Sequence, residues 1–122
     1  MKKILIVDDS KAMRMIVART LRQAGFDGVE VVEAGNGVEA LQVIEGARPD
    51  LVLSDWNMPE MNGIELLKTL RANNSALPLG FVTSESTPEM QALAAESGAL
   101  FLIVKPFTAD TFEGALRPHL AA

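Results

Sequence analysis

Four charged side chains stand directly after short apolar segments of this chain. Asp8 and Asp9 follow the segment KILIV, and Asp55 follows LVLS. Lys105 follows LFLIV and is itself followed by a proline. Each segment is rich in aliphatic and β-branched residues, which predicts a buried strand. Because open α/β sheets place their sites at the carboxyl ends of parallel strands, we expect the three carboxylates and the lysine to meet at one edge.

Such a cluster needs a positive partner. Carboxylates about 5 Å apart repel one another by about 3 kcal/mol per pair at an effective dielectric constant near 20. One lysine cannot balance three negative charges, so either a carboxyl group is protonated or a cation binds. Oxygen ligands without a neighbouring histidine or cysteine favour Mg²⁺ (or Mn²⁺). The alternative, that an aspartate such as Asp9 only caps a helix, leaves the agreement of several strand ends unexplained.

With a bound dication and Lys105, the charges of the cluster sum to about zero, and the site could accept a phosphoryl group. Asp55 would be the nucleophile, and Lys105 would neutralise the incoming oxygens. Thr83 ends a further apolar segment and would add a hydroxyl group at the same edge. The chemistry predicted from the residues is therefore phosphoryl transfer to a carboxylate.

Composition narrows the class of protein. The chain has 122 residues, of which 48% are hydrophobic, and this predicts one domain over residues 1–122. The net charge of −5 disfavours nucleic acid as a partner. There is no cysteine, and no apolar stretch approaches the length of a membrane span. The first apolar segment is too short for a signal peptide. We therefore expect a cytoplasmic monomer that does not bind a membrane.

Strand and helix patterns alternate five times along the chain. The predicted strands cover residues 3–7, 29–33, 51–54, 78–83 and 100–104. Residues suited to helix N-caps follow them, and glycines suited to helix ends come later: Ser10, Asn36, Asn62, Thr87 and Thr108, then Gly25, Gly46 and Gly98. This order predicts an α/β fold in which an open, five-stranded parallel sheet is covered on both faces by five helices.

The first predicted helix, residues 11–24, has two different faces. Lys11, Arg14 and Arg22 lie on one of them. The opposite face is apolar and consists of Met13, Ile16, Val17, Thr20, Leu21 and Ala24. A cationic helix face is most simply a solvated one, and the functional alternative is a docking surface for an acidic partner.

Four stretches of the chain resemble the response-regulator receiver domain of the stand-alone, CheY-like kind. They are ILIVDDS (4–10), LSDWNMPEMNGIELL (53–67), VTSES (82–86) and VKPFT (104–108), in the order that this family shows. The resemblance implies a doubly wound, flavodoxin-like sheet with strand order 2-1-3-4-5, which is a known property of the family and not a result of the spacing. It also implies two-component signalling, in a phosphorelay or in chemotaxis.

The resemblance implies a role for individual residues. Asp55 would be the phosphoacceptor, and the phosphoryl group would come from a histidine kinase or a phosphotransfer protein. Asp8, Asp9, Asp55 and the backbone carbonyl of Asn57 would hold Mg²⁺. In the phosphorylated form Lys105 would pair with the phosphoryl group, and the Lys105–Pro106 peptide bond would be cis. The protein would catalyse only its own phosphorylation and dephosphorylation, and would otherwise not be an enzyme.

Further implied roles concern the switch and its lifetime. Thr83 would bond the phosphoryl group and move. Many receivers carry an aromatic residue three positions before the lysine, but this chain has Leu102 there and contains no tyrosine. An aromatic switch at that position is therefore excluded, and Phe101 should face the other side of the sheet. Asn57 and Glu85 match the positions that control water access and resemble those of rapidly reset chemotaxis regulators.

The output is expected to be a protein contact, because no further domain follows residue 122 in this sequence. In the family the usual output surface combines the fourth helix, the fifth strand and the fifth helix, and the family's docking surface for the kinase includes the face with Lys11, Arg14 and Arg22.

Two alternatives to an active receiver remain. A haloacid-dehalogenase-type phosphatase is disfavoured, because it needs a second acid two residues after its nucleophile and Ser10 follows the two aspartates. A degenerate receiver that acts only as a binding module should have lost an acid, the threonine or the lysine, and this chain keeps all of them; the sequence does not distinguish an output protein from a relay intermediate or a phosphate sink.

Overall fold

The computed structural model describes residues 2–120, so that Met1, Ala121 and Ala122 of the predicted domain 1–122 lie outside the described residues. Five strands and five helices alternate along the chain. The strands are β1 (Lys3–Val7), β2 (Glu30–Ala34), β3 (Leu51–Ser54), β4 (Leu79–Thr83) and β5 (Leu102–Val104). The helices are α1 (Lys11–Gln23), α2 (Gly37–Ala47), α3 (Gly63–Ala72), α4 (Pro88–Glu96) and α5 (Ala109–Leu120). Within residues 2–120, no helix has the length and apolar character needed to cross a membrane.

The strands form one sheet in the order β2-β1-β3-β4-β5, and every neighbouring pair is parallel. The predicted fold class and strand order are confirmed. The register places Val7 beside Ser54 and Thr83 beside Val104. The residues that follow these strand ends therefore leave the sheet at the same edge.

Side chains of the central strands alternate between two apolar layers, because successive residues of a strand point to opposite faces. One layer joins Leu5, Val52 and Phe81 to α2, α3 and α4. The other joins Ile6, Leu53 and helices α1 and α5. Helices thus cover both faces, which is why β1, β3 and β4 consist almost entirely of buried residues.

Helix α1 begins as predicted, since the Ser10 hydroxyl accepts a hydrogen bond from the Met13 amide. Its buried residues are Val17, Thr20 and Leu21. Ile16 differs from the expected apolar face, because 38% of it is exposed. It lies at the border of the apolar stripe.

The end of α2 corrects a prediction. Gly46 was expected to end the helix, but α2 continues to Ala47, and Arg48 follows it in the left-handed conformation with φ 50°. Pro49 supplies the reason, because a proline disfavours the helical conformation of the residue before it. Gly25 and Gly98, by contrast, have φ of 97° and 96° just after α1 and α4, as expected for glycines that follow helix ends.

Strand limits differ slightly from the prediction. β2 and β4 begin one residue later than expected, and β5 begins at Leu102 instead of Leu100. The amide of Leu100 still donates to the Leu79 carbonyl, but Leu100 is 39% exposed. β5 is an edge strand, so only its pairing with β4 holds this end of the segment.

Candidate functional site

Three carboxylates meet at the carboxyl edge of the sheet. Asp8, Asp9 and Asp55 each offer an oxygen, and these oxygens lie within 4.8 Å of one another. Asp8 is buried, Asp55 is half-buried and Asp9 is exposed. The structure therefore brings together the acidic residues that the strand pattern placed at one edge.

Lys105 reaches into the same cluster from the end of β5. Its Nζ lies 3.1 Å from Asp8 Oδ2 and 3.4 Å from Asp55 Oδ2. Its backbone amide donates to the Thr83 carbonyl over 2.8 Å, and the Lys105–Pro106 peptide bond is cis, as the resemblance implied. One ammonium group thus bridges two carboxylates that come from different strands.

The position of Asp55 is fixed by its neighbours along the chain. The Asp55 amide donates to the Val7 carbonyl over 2.8 Å, and the Trp56 amide donates to Asp55 Oδ1 over 2.7 Å. A Cβ atom at Gly63 would lie 2.2 Å from the Asp55 carbonyl oxygen, so only glycine allows α3 to begin this close to the strand end. The carboxylate is therefore oriented by its surroundings, with Oδ2 directed towards Lys105.

Burial raises the pKa of Asp55 above its ordinary value of 3.8. The charge of Lys105 and the hydrogen bond from the Trp56 amide lower this pKa, whereas the negative charge of Asp8 raises it further. The net effect is a rise, so the ionised form of Asp55 is less favourable here than in water. An added cation at the cluster would reverse this balance.

Thr83 is fully buried at the end of β4, and its hydroxyl oxygen accepts a hydrogen bond from the Glu85 amide over 3.4 Å. Glu85 is exposed, and its Oε1 accepts a hydrogen bond from the side-chain amide of Asn57 over 3.3 Å. The resemblance names Asn57 and Glu85 together for the control of water access. It does not predict the contact between them, because they belong to different loops.

Leu102 and Phe101 lie on opposite faces of β5, as expected. Leu102 is half-buried and packs with the layer that contains Phe81 and Ala94. Phe101 packs with the layer on the side of α1 and α5. The position that carries an aromatic residue in many receivers therefore holds a smaller aliphatic side chain beside α4.

The three cations of α1 differ in their surroundings. Lys11 and Arg22 are exposed. The Arg14 side chain is only 17% exposed, its Nη1 donates to the Asp8 backbone carbonyl, and its Nε lies 2.8 Å from Glu33 Oε1. These contacts are not predicted by the sequence. The sequence shows only that Arg14 stands in the first turn of α1, close after the aspartates.

The donor set fits a hard dication such as Mg²⁺. All three side chains offer carboxylate oxygens, and no other group of three or more acidic, histidine or cysteine side chains within residues 2–120 meets the same closeness. Asp9 is exposed, so one ligand faces solvent, which suits an ion that keeps several of its waters.

The site thus combines a carboxylate at the edge of a parallel sheet, two neighbouring carboxylates that could hold a dication, and a lysine in contact with two of the three. Comparison with known proteins shows the class of protein to which the chain belongs. The family described as the response regulator receiver domain matches residues 4–117. The chain belongs to this family.

Two relatives are chemotaxis proteins. The chain is 45% identical to the chemotaxis protein CheY-3 of Vibrio cholerae over 113 residues, which cover 91% of this chain and 85% of the relative. It is 41% identical to the chemotaxis protein CheY1 of Helicobacter pylori, with 87% and 86% covered. The solved structure of Vibrio cholerae CheY4 at low pH superposes with a TM-score of 0.86 at 38% identity, covering 98% of this chain and 99% of that one.

Proposed function

We propose that this protein is a phosphorylation-activated switch in which Asp55 accepts the phosphoryl group from a histidine kinase or a phosphotransfer protein. The observation that carries the proposal is the position of Asp55: it lies in the acidic cluster and is 3.4 Å from Lys105. Membership of the receiver family supports a histidine kinase as the donor.

The surroundings of Asp55 suit nucleophilic attack on phosphorus. Oδ1 is held by the Trp56 amide, so the carboxylate is oriented before a donor arrives. As the new P–O bond forms, the P–N bond of the phosphohistidine breaks and the leaving imidazole takes up a proton. Lys105 then pairs with one phosphoryl oxygen, and the Thr83 hydroxyl donates a hydrogen bond to another. Both residues act by stabilising charge on the transferred group.

The same proposal assigns the cofactor. Asp8, Asp9, Asp55 and the backbone carbonyl of Asn57 hold Mg²⁺ (or Mn²⁺). Bound there, the ion supplies positive charge that offsets the repulsion between the carboxylates and the incoming phosphoryl oxygens. The closeness of the three carboxylates supports this assignment.

The proposal assigns each partner to one surface of the protein. We place docking of the phosphodonor on the cationic face of α1, where Lys11 and Arg22 are exposed and Arg14 contacts the backbone carbonyl of Asp8. Output passes through the face formed by α4, β5 and α5 to a protein target. Because two relatives are named chemotaxis proteins, we place the switch in a chemotaxis-like pathway in the cytoplasm, where a kinase can use ATP.

The test is direct labelling. Incubation with acetyl phosphate and Mg²⁺ should add one phosphoryl group, and mass spectrometry of the borohydride-reduced protein should locate it at Asp55. The Asp55→Asn variant should remain unlabelled. Asp27→Asn is the matched control, because Asp27 is an exposed aspartate outside the cluster. Label that persists at the normal rate in Asp55→Asn would overturn the assignment.

A further inference from the structure

Asp8 is held at four separate atoms. Its amide donates to the Ala34 carbonyl over 3.1 Å. Its Oδ1 accepts from the Ser10 amide over 2.9 Å, and its Oδ2 from Lys105 over 3.1 Å. The fourth contact is the hydrogen bond from Arg14 Nη1 to its backbone carbonyl. That carbonyl belongs to the peptide group joining Asp8 to Asp9, so its orientation sets the direction in which both carboxylates project.

Arg14 is itself held in place by β2. Its Nε lies 2.8 Å from Glu33 Oε1, and its side chain is only 17% exposed. Glu33 directly precedes Ala34, whose carbonyl accepts from the Asp8 amide. The end of β2 therefore fixes Asp8 twice, once directly and once through the guanidinium group. Because the guanidinium is planar and donates from several nitrogens in a fixed geometry, Nε can serve Glu33 while Nη1 serves the Asp8 carbonyl.

We infer that Arg14 is a positioning residue for the metal site: it orients the Asp8–Asp9 peptide group and thereby strengthens binding of a divalent cation. The inference rests on the proposed function, since it concerns the same cluster. Arg14 touches none of the carboxylate oxygens of Asp8, Asp9 or Asp55 in the described contacts, so it acts through the backbone.

The direction of the change in Mg²⁺ affinity on replacing Arg14 distinguishes an orienting role of this residue from a simple effect of its charge. A guanidinium near the cluster repels a dication, so removal of its charge alone would tighten binding. Removal of an orienting contact weakens binding instead, and groups that orient metal ligands typically contribute about tenfold or more to affinity. We expect Arg14→Met to weaken Mg²⁺ binding by about tenfold, against the direction of the charge effect.

The experiment measures Mg²⁺ affinity from the fluorescence of Trp56, the single tryptophan, which adjoins Asp55. Phosphorylation by acetyl phosphate, which needs no docking surface, gives a second reading: Arg14→Met should need more Mg²⁺ for half-maximal rate but reach a near-normal rate at saturation. Arg19→Met is the matched control, because Arg19 is an exposed arginine of the same helix and none of the described contacts joins it to the cluster. It should leave the affinity unchanged or slightly tighter.

A second pair of variants guards against misfolding of Arg14→Met. Glu33→Ala and Glu33→Gln both remove a negative charge, but glutamine keeps an oxygen that can accept from Arg14 Nε. Glu33→Ala should therefore bind Mg²⁺ more weakly than Glu33→Gln. Equal affinity in this pair, or unchanged or tighter binding in a folded Arg14→Met, would overturn the inference and leave the proposed function standing. Absence of Mg²⁺ binding in the wild type would overturn both.

Discussion

The side-chain amide of Asn57 donates a hydrogen bond of 3.3 Å to Oε1 of Glu85 and thereby joins the loop after β3 to the loop after β4. Both residues are exposed. The resemblance to receivers assigns them to the positions that control access of water to the phosphoacceptor, so we expect water that attacks an acyl phosphate on Asp55 to pass this pair. We call the hydrogen-bonded pair of Asn57 and Glu85 the entrance.

This entrance leads to a prediction about the lifetime of the phosphorylated form. Polar side chains can hold an attacking water, so we expect loss of the phosphoryl group within minutes, and a rate several-fold lower when Asn57→Met or Glu85→Lys obstructs the entrance. The decay can be followed by Trp56 fluorescence after removal of the donor. Glu89→Lys, at an exposed glutamate of α4, is the charge-matched control. Decay over hours in the wild type would contradict the prediction.

The raised pKa of Asp55 predicts a dependence of stability on pH. A carboxyl group whose pKa is higher in the folded protein favours folding while it is protonated and loses that contribution as the pH rises through the folded-state pKa. At neutral pH and without Mg²⁺, ionised Asp55 therefore costs stability. We expect Asp55→Asn to raise the melting temperature at pH 7, with a gain that shrinks as the pH falls below the folded-state pKa. Thermal unfolding at several pH values in EDTA measures this, and an equal gain at every pH would contradict it.

Lys105 contacts two carboxylates in a mostly buried position, and this predicts the effect of its removal. Lys105→Ala leaves Asp8 and Asp55 without a cationic partner, and we expect the free energy of unfolding to fall by about 3 kcal/mol in EDTA. Added Mg²⁺ should restore part of the loss, because it replaces the missing positive charge. Urea unfolding with and without Mg²⁺ measures the loss of unfolding free energy and the part of it that Mg²⁺ restores. Lys68→Ala, at an exposed lysine of α3, should change neither. A loss that Mg²⁺ does not reduce would point to packing instead of charge.

Two glycines predict opposite effects of the same substitution. Gly46 lies inside α2 with nothing within 4 Å of an added Cβ, so Gly46→Ala should stabilise the protein by about 0.5–1 kcal/mol. At Gly63 the added Cβ would lie 2.2 Å from the Asp55 carbonyl oxygen and 2.8 Å from the Phe81 ring. We expect Gly63→Ala to destabilise the protein by about 1–3 kcal/mol and to slow phosphorylation of Asp55. Denaturant unfolding tests both values, and a neutral result at Gly63 would show that the strand end can shift.

The sequence predicted those features that depend on local pattern. Apolar runs located every strand, and caps such as Ser10 and Asn62 located the starts of helices. The helix end at Arg48 differs from the prediction, because Gly46 suggests a stop whereas α2 continues until Pro49 disfavours the helical conformation of the residue before it. The contacts of Arg14 and the pairing of Asn57 with Glu85 were missed for another reason: they join segments that only the folded sheet brings together, and no spacing along the chain records them.

The Lys105 contacts span 97 residues to Asp8 and 50 residues to Asp55, across the first, third and fifth strands. A fragment must run at least from Asp8 to Lys105 to contain all of these residues, and β1, β3, β4 and β5 must pair before the residues meet. Under the proposed function, reactivity towards a phosphodonor therefore reports on completion of this part of the sheet. We expect a chain that has not finished folding to be silent in signalling instead of wrongly active.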